Sequence, residues 1–224
     1  MEPTGARPRV VVVDDHGLLA QSLRFALQAN DMRVVICDEL TEEAIVGAVT
    51  EDETDVVLLD LDIGGELGTS LSLIPRLSEL GARVVMLTGV TDRPRLGACV
   101  EAGAVGVVGK SQPFDELVDA VKTVLADGTL LTPGQREALI DDFTEHRARE
   151  NERLAVFERL TPKEAYVLRS LMDGATADQI AKEAVVSMAT VRTQIRSVLA
   201  KLGVNSQLSA VALARKAGWD ETSG

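Results

Sequence analysis

RVVVVDDHGLLAQSL, residues 9–23, sets four consecutive valines directly before two aspartates. Four β-branched residues in a row suit a strand buried on both faces, so Asp14 and Asp15 fall side by side where the chain leaves the core. Adjacent carboxylates repel unless protons, donors or a cation offset them. The rest of the chain must supply that compensation, or the pair is only a solvated turn.

Four more apolar runs follow: MRVVIC at 32–37, DVVLLD at 55–60, ARVVMLT at 82–88 and AVGVVG at 104–109. Helix-patterned stretches separate them near 17–29, 41–51, 68–79 and 92–102, and a fifth lies near 113–126. Strict strand–helix alternation with short connections predicts a parallel sheet covered by helices on both faces. Five such units fit the doubly wound, flavodoxin-like order 2-1-3-4-5, with strands 1 and 3 adjacent.

In open α/β sheets, ligands bind beyond the carboxyl ends of the strands. Strand 1 brings Asp14 and Asp15 there, strand 3 Asp60, strand 4 Thr88 and strand 5 Lys110. Three converging carboxylates form a hard, oxygen-rich site suited to Mg2+. Lys110 adds positive charge and Thr88 a hydroxyl donor. That set of groups matches phosphoryl transfer, where positioning and charge neutralisation carry most of the catalysis.

In these five positions residues 1–126 resemble the receiver domain of bacterial two-component response regulators. The resemblance implies that Asp60 accepts a phosphoryl group, that Asp14, Asp15 and Asp60 hold Mg2+, and that Thr88 and Lys110 bind the phosphoryl oxygens. It also implies a sensor histidine kinase as partner. Three positions depart from the family pattern. Val107 stands where an aromatic switch residue is common, and valine has no ring to swing. Ile63-Gly64 replaces the common Met-Pro after the acceptor, which is expected to loosen that loop. Asp62 adds a carboxylate two residues after Asp60, and LLDLDIGG also resembles the D-x-D signature of haloacid-dehalogenase-type phosphatases, whose second Asp is a general acid/base.

The 224 residues are 46% hydrophobic, enough for a sizeable globular core. No apolar run approaches the roughly 18 residues of a spanning helix, and MEPTGARPRV lacks a signal-peptide centre, so a cytoplasmic protein without membrane contact is expected. Cys37 and Cys99 lie in apolar segments and read as buried thiols. His16 and His146 read as packing or surface residues. The net charge of −12 is uneven: residues 1–125 hold 10 Lys and Arg against 21 Asp and Glu, whereas residues 158–224 hold 9 against 7. An acidic front and a mildly basic rear suggest two domains with different partners.

Between them, residues 127–158 read as a linker. TPGQ at 132–135 is a capping box opening a charged helix whose few apolar residues are Leu139, Ile140 and Phe143, so an exposed helix is expected. From residue 159 the helix signals are dense. Thr161 with Glu164 and Thr176 with Gln179 are capping boxes, Ser187 starts a third helix that Gly203 ends, and a fourth runs from about Ser206 to Ala217. Short helices joined by three- or four-residue turns are a helix-turn-helix pattern. In the third, Val191, Ile195, Val198, Leu199 and Leu202 form one stripe. Ala189, Arg192, Thr193, Arg196, Ser197 and Ala200 form the opposite face, whose two arginines among small residues could enter a major groove of double-stranded DNA.

Residues 160–214 resemble the four-helix LuxR-type DNA-binding domain. The resemblance implies groove and phosphate contacts by Arg192, Thr193 and Arg196, a further backbone contact by Lys201, and dimerisation through the last helix. Gln194 stands where many relatives have histidine. The two halves together resemble NarL/FixJ-type response regulators: not an enzyme, but a transcription factor controlled by phosphorylation and active as a homodimer on paired half-sites. A regulator of this architecture that works without phosphorylation, and a phosphatase using Asp60 and Asp62, are the alternatives.

Overall fold

A computed structural model describes residues 7–64, 67–89 and 91–219. Five strands, β1 (Arg9–Val13), β2 (Arg33–Ile36), β3 (Val56–Asp60), β4 (Arg83–Thr88) and β5 (Gly106–Gly109), alternate with α1 (Gly17–Gln28), α2 (Glu42–Thr50), α3 (Leu73–Glu79), α4 (Arg93–Glu101) and α5 (Phe114–Leu125). All pairings are parallel and the order is β2-β1-β3-β4-β5. The expected order is therefore the observed one.

Alternation of side chains along the strands divides the core in two. Val11, Val13, Val57 and Leu59 pack on one face with Ile45, Leu73 and Leu77, while Val10, Val12 and Leu58 pack on the other with Leu23, Leu27 and Val121. Each such buried aliphatic side chain contributes about 1.5–3 kcal/mol. This two-sided burial holds the ends of β1, β3 and β5 in fixed register, which is what brings their terminal polar residues together.

Three expectations change. The third helix begins at Leu73 rather than near 68, because residues 67–72 form turns that return to the sheet: Gly68 takes φ +61°, and Ser70 donates from its hydroxyl to the Asp60 carbonyl (2.5 Å). The loop after the acceptor is anchored where it is described, since Ile63 is buried in the core and Gly64 pairs with Gly68. Ile63 substitutes apolar burial for the stiffness a proline would supply. Finally, α6 (Pro133–Glu158) is not exposed throughout. Leu139 is 7% exposed and Phe157 3%, because one apolar residue per few turns suffices when each meets a neighbouring surface.

Packing divides the chain into residues 1–144 and 145–224, within α6. In the second unit, α7 (Pro162–Met172), α8 (Ala177–Glu183), α9 (Met188–Leu202) and α10 (Gln207–Ala217) surround two small cores. Capping boxes at Thr161/Glu164 and Thr176/Gln179, and Ser187 and Ser206 at the starts of α9 and α10, satisfy helix N–H groups as the sequence predicts. Trp219 stacks on Phe157 with ring centroids 5.3 Å apart. Among the described residues, no helix is long and apolar enough to cross a membrane.

Candidate functional site

Four strand ends converge in the first unit. Asp14 follows β1, Asp60 ends β3, Thr88 ends β4 and Lys110 follows β5. The Lys110 ammonium lies 2.6 Å from Asp60 Oδ2 and 3.0 Å from Asp14 Oδ1, so one cation bridges two carboxylates. Lys110 is aimed there because its backbone N–H donates to the Thr88 carbonyl (2.9 Å), continuing the ladder past β5. Thr88 is buried at the same edge.

Burial raises the Asp60 carboxyl above the usual aspartate range, and neighbouring Asp14 adds to the rise; the hydrogen bond and charge of Lys110 oppose but do not cancel it. For Lys110, burial acts to lower the pKa and is outweighed by Asp60 and Asp14, so the ammonium is held above its ordinary value. The pair thus carries a protonated lysine beside a carboxylate short of positive charge.

Asp15 is half-exposed, with its Oδ1 2.5 Å from His16 Nδ1. The His16 backbone N–H donates to Asp14 Oδ1 (2.8 Å). Ligand atoms of Asp14, Asp15, His16 and Asp60 lie within 4.8 Å of one another. Asp14 Oδ2 is buried with no aligned hydrogen-bond donor, although the Lys110 ammonium is 2.9 Å away. A buried carboxylate oxygen with free lone pairs, beside a second and a third acid, fits a hard divalent cation.

Asp62 does not join this group. Its carboxylate pairs with Arg95 of α4, and only its backbone N–H turns to Asp60 (3.3 Å to Oδ1). Val107 is half-buried against the core on the β5 edge. Ser70, which ties the loop to the end of β3, was not among the expected site residues; only the tertiary return of the loop reveals it.

In the second unit, α9 buries Val191, Ile195, Val198 and Leu202 and exposes Arg192, Thr193 and Arg196. The Thr193 hydroxyl donates to the Ala189 carbonyl (2.9 Å), which leaves its methyl and remaining lone pair outward. Lys201 departs from expectation: its ammonium turns inward to Glu164 Oε2 (2.6 Å). Ser197, on the same expected outer face, donates to Glu164 Oε1 (2.5 Å). Glu164 is a buried N-terminal residue of α7, and it draws both side chains away from solvent. The free face of α9 is therefore narrower than the helical wheel suggests.

A parallel five-stranded α/β unit with an acid cluster and a lysine at its strand ends, followed by a helix-turn-helix unit, defines a class of signalling proteins with a DNA-binding output. Family models match both parts: the response regulator receiver domain over residues 10–122, and bacterial regulatory proteins of the luxR family over residues 158–214. The chain belongs to the response regulator family of the NarL/FixJ type, a group of transcription regulators and not enzymes. It is 27% identical over 205 residues to the nitrate/nitrite response regulator protein homolog of Haemophilus influenzae, covering 92% of this chain and 95% of that one. It is 25% identical over 210 residues to the transcriptional regulatory protein DesR of Bacillus subtilis, covering 94% and 98%. A solved structure of the Salmonella typhimurium RcsB response regulator shares the fold at a TM-score of 0.50 and 23% identity, covering 95% of this chain and 100% of that one.

Proposed function

We propose that Asp60 is phosphorylated by a sensor histidine kinase, or by a small phosphodonor, and that the phosphoryl group controls binding of the C-terminal helices to double-stranded DNA. The observation that carries this reading is the Lys110 ammonium in contact with both Asp60 and Asp14. In the reaction an Asp60 carboxylate oxygen attacks phosphorus, the donor's leaving group departs with the bonding electrons, and an acyl phosphate forms. Lys110 exchanges part of its contact with Asp60 for a phosphoryl oxygen, and the Thr88 hydroxyl donates to another. Asp14, Asp15 and Asp60 would hold Mg2+, which neutralises charge on the incoming phosphoryl group. Such an ion usually keeps several of its waters, so few protein oxygens are needed.

The output is assigned to Arg192, Thr193 and Arg196, with arginine contacts to base edges or phosphates. Lys201 braces α7 against α9 and takes part in DNA binding only through that brace. A small positive charge in residues 158–224 implies modest affinity per copy, so a homodimer on paired half-sites is the expected active form, in the cytoplasm where kinase and DNA meet. The receiver is assigned to residues 1–126, the DNA-binding domain to 159–224 and the connection to 127–158. Pairing of Asp62 with Arg95 weighs against a general acid/base role for Asp62.

The test is incubation of the full chain with acetyl phosphate and Mg2+. An acid-stable, hydroxylamine-labile phosphate that is absent in Asp60→Asn, together with a change in operator affinity, supports the reading. DNA binding that is the same with and without phosphodonor would transfer preference to a phosphorylation-independent regulator.

A further inference from the structure

His16 is turned into the acid cluster although α1 does not require it there. It stands at the cap position before Gly17, yet its side chain makes no capping bond to the helix. The backbone N–H is fixed on Asp14 Oδ1 (2.8 Å), and ring Nδ1 then lies 3.2 Å from Asp14 Oδ1 and 2.5 Å from Asp15 Oδ1. The Lys110 ammonium is 3.4 Å from the same nitrogen. Asp14 and Asp60 are buried, whereas Asp15 and His16 are open to solvent, so an ion has a way in past the outer pair.

The donor set decides which ions such a site accepts. Mg2+ prefers oxygen ligands in octahedral geometry and keeps several waters, so an imidazole adds little to its binding. Zn2+ and Co2+ take carboxylate oxygen and imidazole nitrogen together. Four ligands at about 2.0–2.2 Å from a tetrahedral ion stand about 3.3–3.6 Å apart. One ligand atom from each of Asp14, Asp15, His16 and Asp60 lies within 4.8 Å of the other three, so small side-chain rotations close the set. Charge agrees as well: three ionised aspartates less the Lys110 ammonium leave two negative charges, which a divalent ion matches. A neutral imidazole adds a ligand without adding charge.

We propose that His16 is a metal-ligating residue, and that with Asp14, Asp15 and Asp60 it forms a four-ligand site for a borderline divalent cation of the Zn2+ or Co2+ kind. The inference rests on the acid cluster being a cation site, and it holds whether or not Asp60 accepts a phosphoryl group. The three acids serve Mg2+ without His16; the fourth ligand gives the softer ions their preference.

The experiment is calorimetric titration of the untagged full chain, freed of metal with a chelator, with Mg2+ and separately with Zn2+, together with visible spectra of the Co2+ complex. His16→Ala keeps the backbone N–H to Asp14 and costs no cap, so the fold is retained. It is expected to lower Zn2+ affinity about 10- to 100-fold while Mg2+ affinity stays within about twofold. The intense visible bands of four-coordinate Co2+ are expected in the wild type and are lost in His16→Ala. Asp14→Asn is expected to abolish binding of every ion at this site. Zn2+ affinity unchanged in His16→Ala, or lowered only as much as that of Mg2+, overturns the proposal. So does Zn2+ binding that survives Asp14→Asn, since the ion then sits elsewhere. If Mg2+ gives no heat while Zn2+ and Co2+ behave as expected, the Mg2+ reading fails and the role of His16 stands; if no ion binds, both fall.

Discussion

In each unit a buried carboxylate lies against a lysine, Asp60 in the first and Glu164 in the second, and the two behave oppositely. Asp60 is pushed above its ordinary range although Lys110 is 2.6 Å away. Glu164, with Lys201 also at 2.6 Å, is held down to about 2: burial raises it, but Lys201, Ser197 and the Thr161 N–H and hydroxyl together prevail. The difference lies in how the donors are shared. Lys110 divides its protons between Asp60 and Asp14, two acids at one site, whereas Glu164 faces several donors and no rival acid. A carboxylate short of donors can react or bind a cation; one surrounded by donors serves as a brace.

The largest effect that could break this contrast is at Asp60. Asp60→Asn is expected to abolish acyl phosphate completely, read by phosphate-affinity electrophoresis. The same substitution should raise the melting temperature of the metal-free protein at neutral pH, because a carboxyl whose native pKa is raised above its unfolded value, 3.8, favours folding fully below that value and loses the contribution as pH rises through the native pKa. The gain should vanish below that pH, and a melting temperature lower than wild type at neutral pH would contradict the assignment. On the output side, Arg192→Ala and Arg196→Ala should each weaken operator binding about 10- to 100-fold, whereas an equal loss in Lys201→Met with its fold intact would restore Lys201 as a DNA contact.

Next in size is Glu164→Gln, expected to destabilise the second unit by about 2 kcal/mol, since Lys201 keeps its charge and loses its partner. Trp219, the only tryptophan, reports this unfolding by fluorescence. Because the Glu164 carboxyl is depressed from 4.5 to about 2, its contribution is fully present above pH 4.5 and disappears as pH falls from 4.5 toward 2. Acid titration of the Gln variant should lack that loss. The smallest effect is at Val185, a β-branched residue at φ +54° and 88% exposed in the turn between α8 and α9. Asparagine tolerates that left-handed conformation, so Val185→Asn should stabilise the unit by about 1 kcal/mol in urea denaturation.

Much of this architecture was legible because its signals are local. Valine runs mark the strands, and Thr161 with Glu164, Thr176 with Gln179 and Thr132 with Gln135 each write a cap within four residues. The acid site was legible because its members sit at strand ends, where the topology must gather them. Three features were not. Ser70 reaches the Asp60 carbonyl from ten residues away, Lys201 turns to Glu164 across 37, and α6 settles on Gly97 through only a few apolar residues. None leaves a periodic trace, since one contact between distant segments has no repeat to read.

The residue pattern by itself determined the strand order, the capped starts of α7 to α10, the buried stripe of α9 and the identity of the acids and lysine at the sheet edge. Tertiary structure alone decided which lysine neutralises which acid, in which direction each carboxyl titrates, and where α6 rests. Patterning acts over a few residues through backbone geometry and solvent exposure. Charge state depends instead on burial and on donors supplied from afar, as Lys110 is to Asp60 over 50 residues of chain.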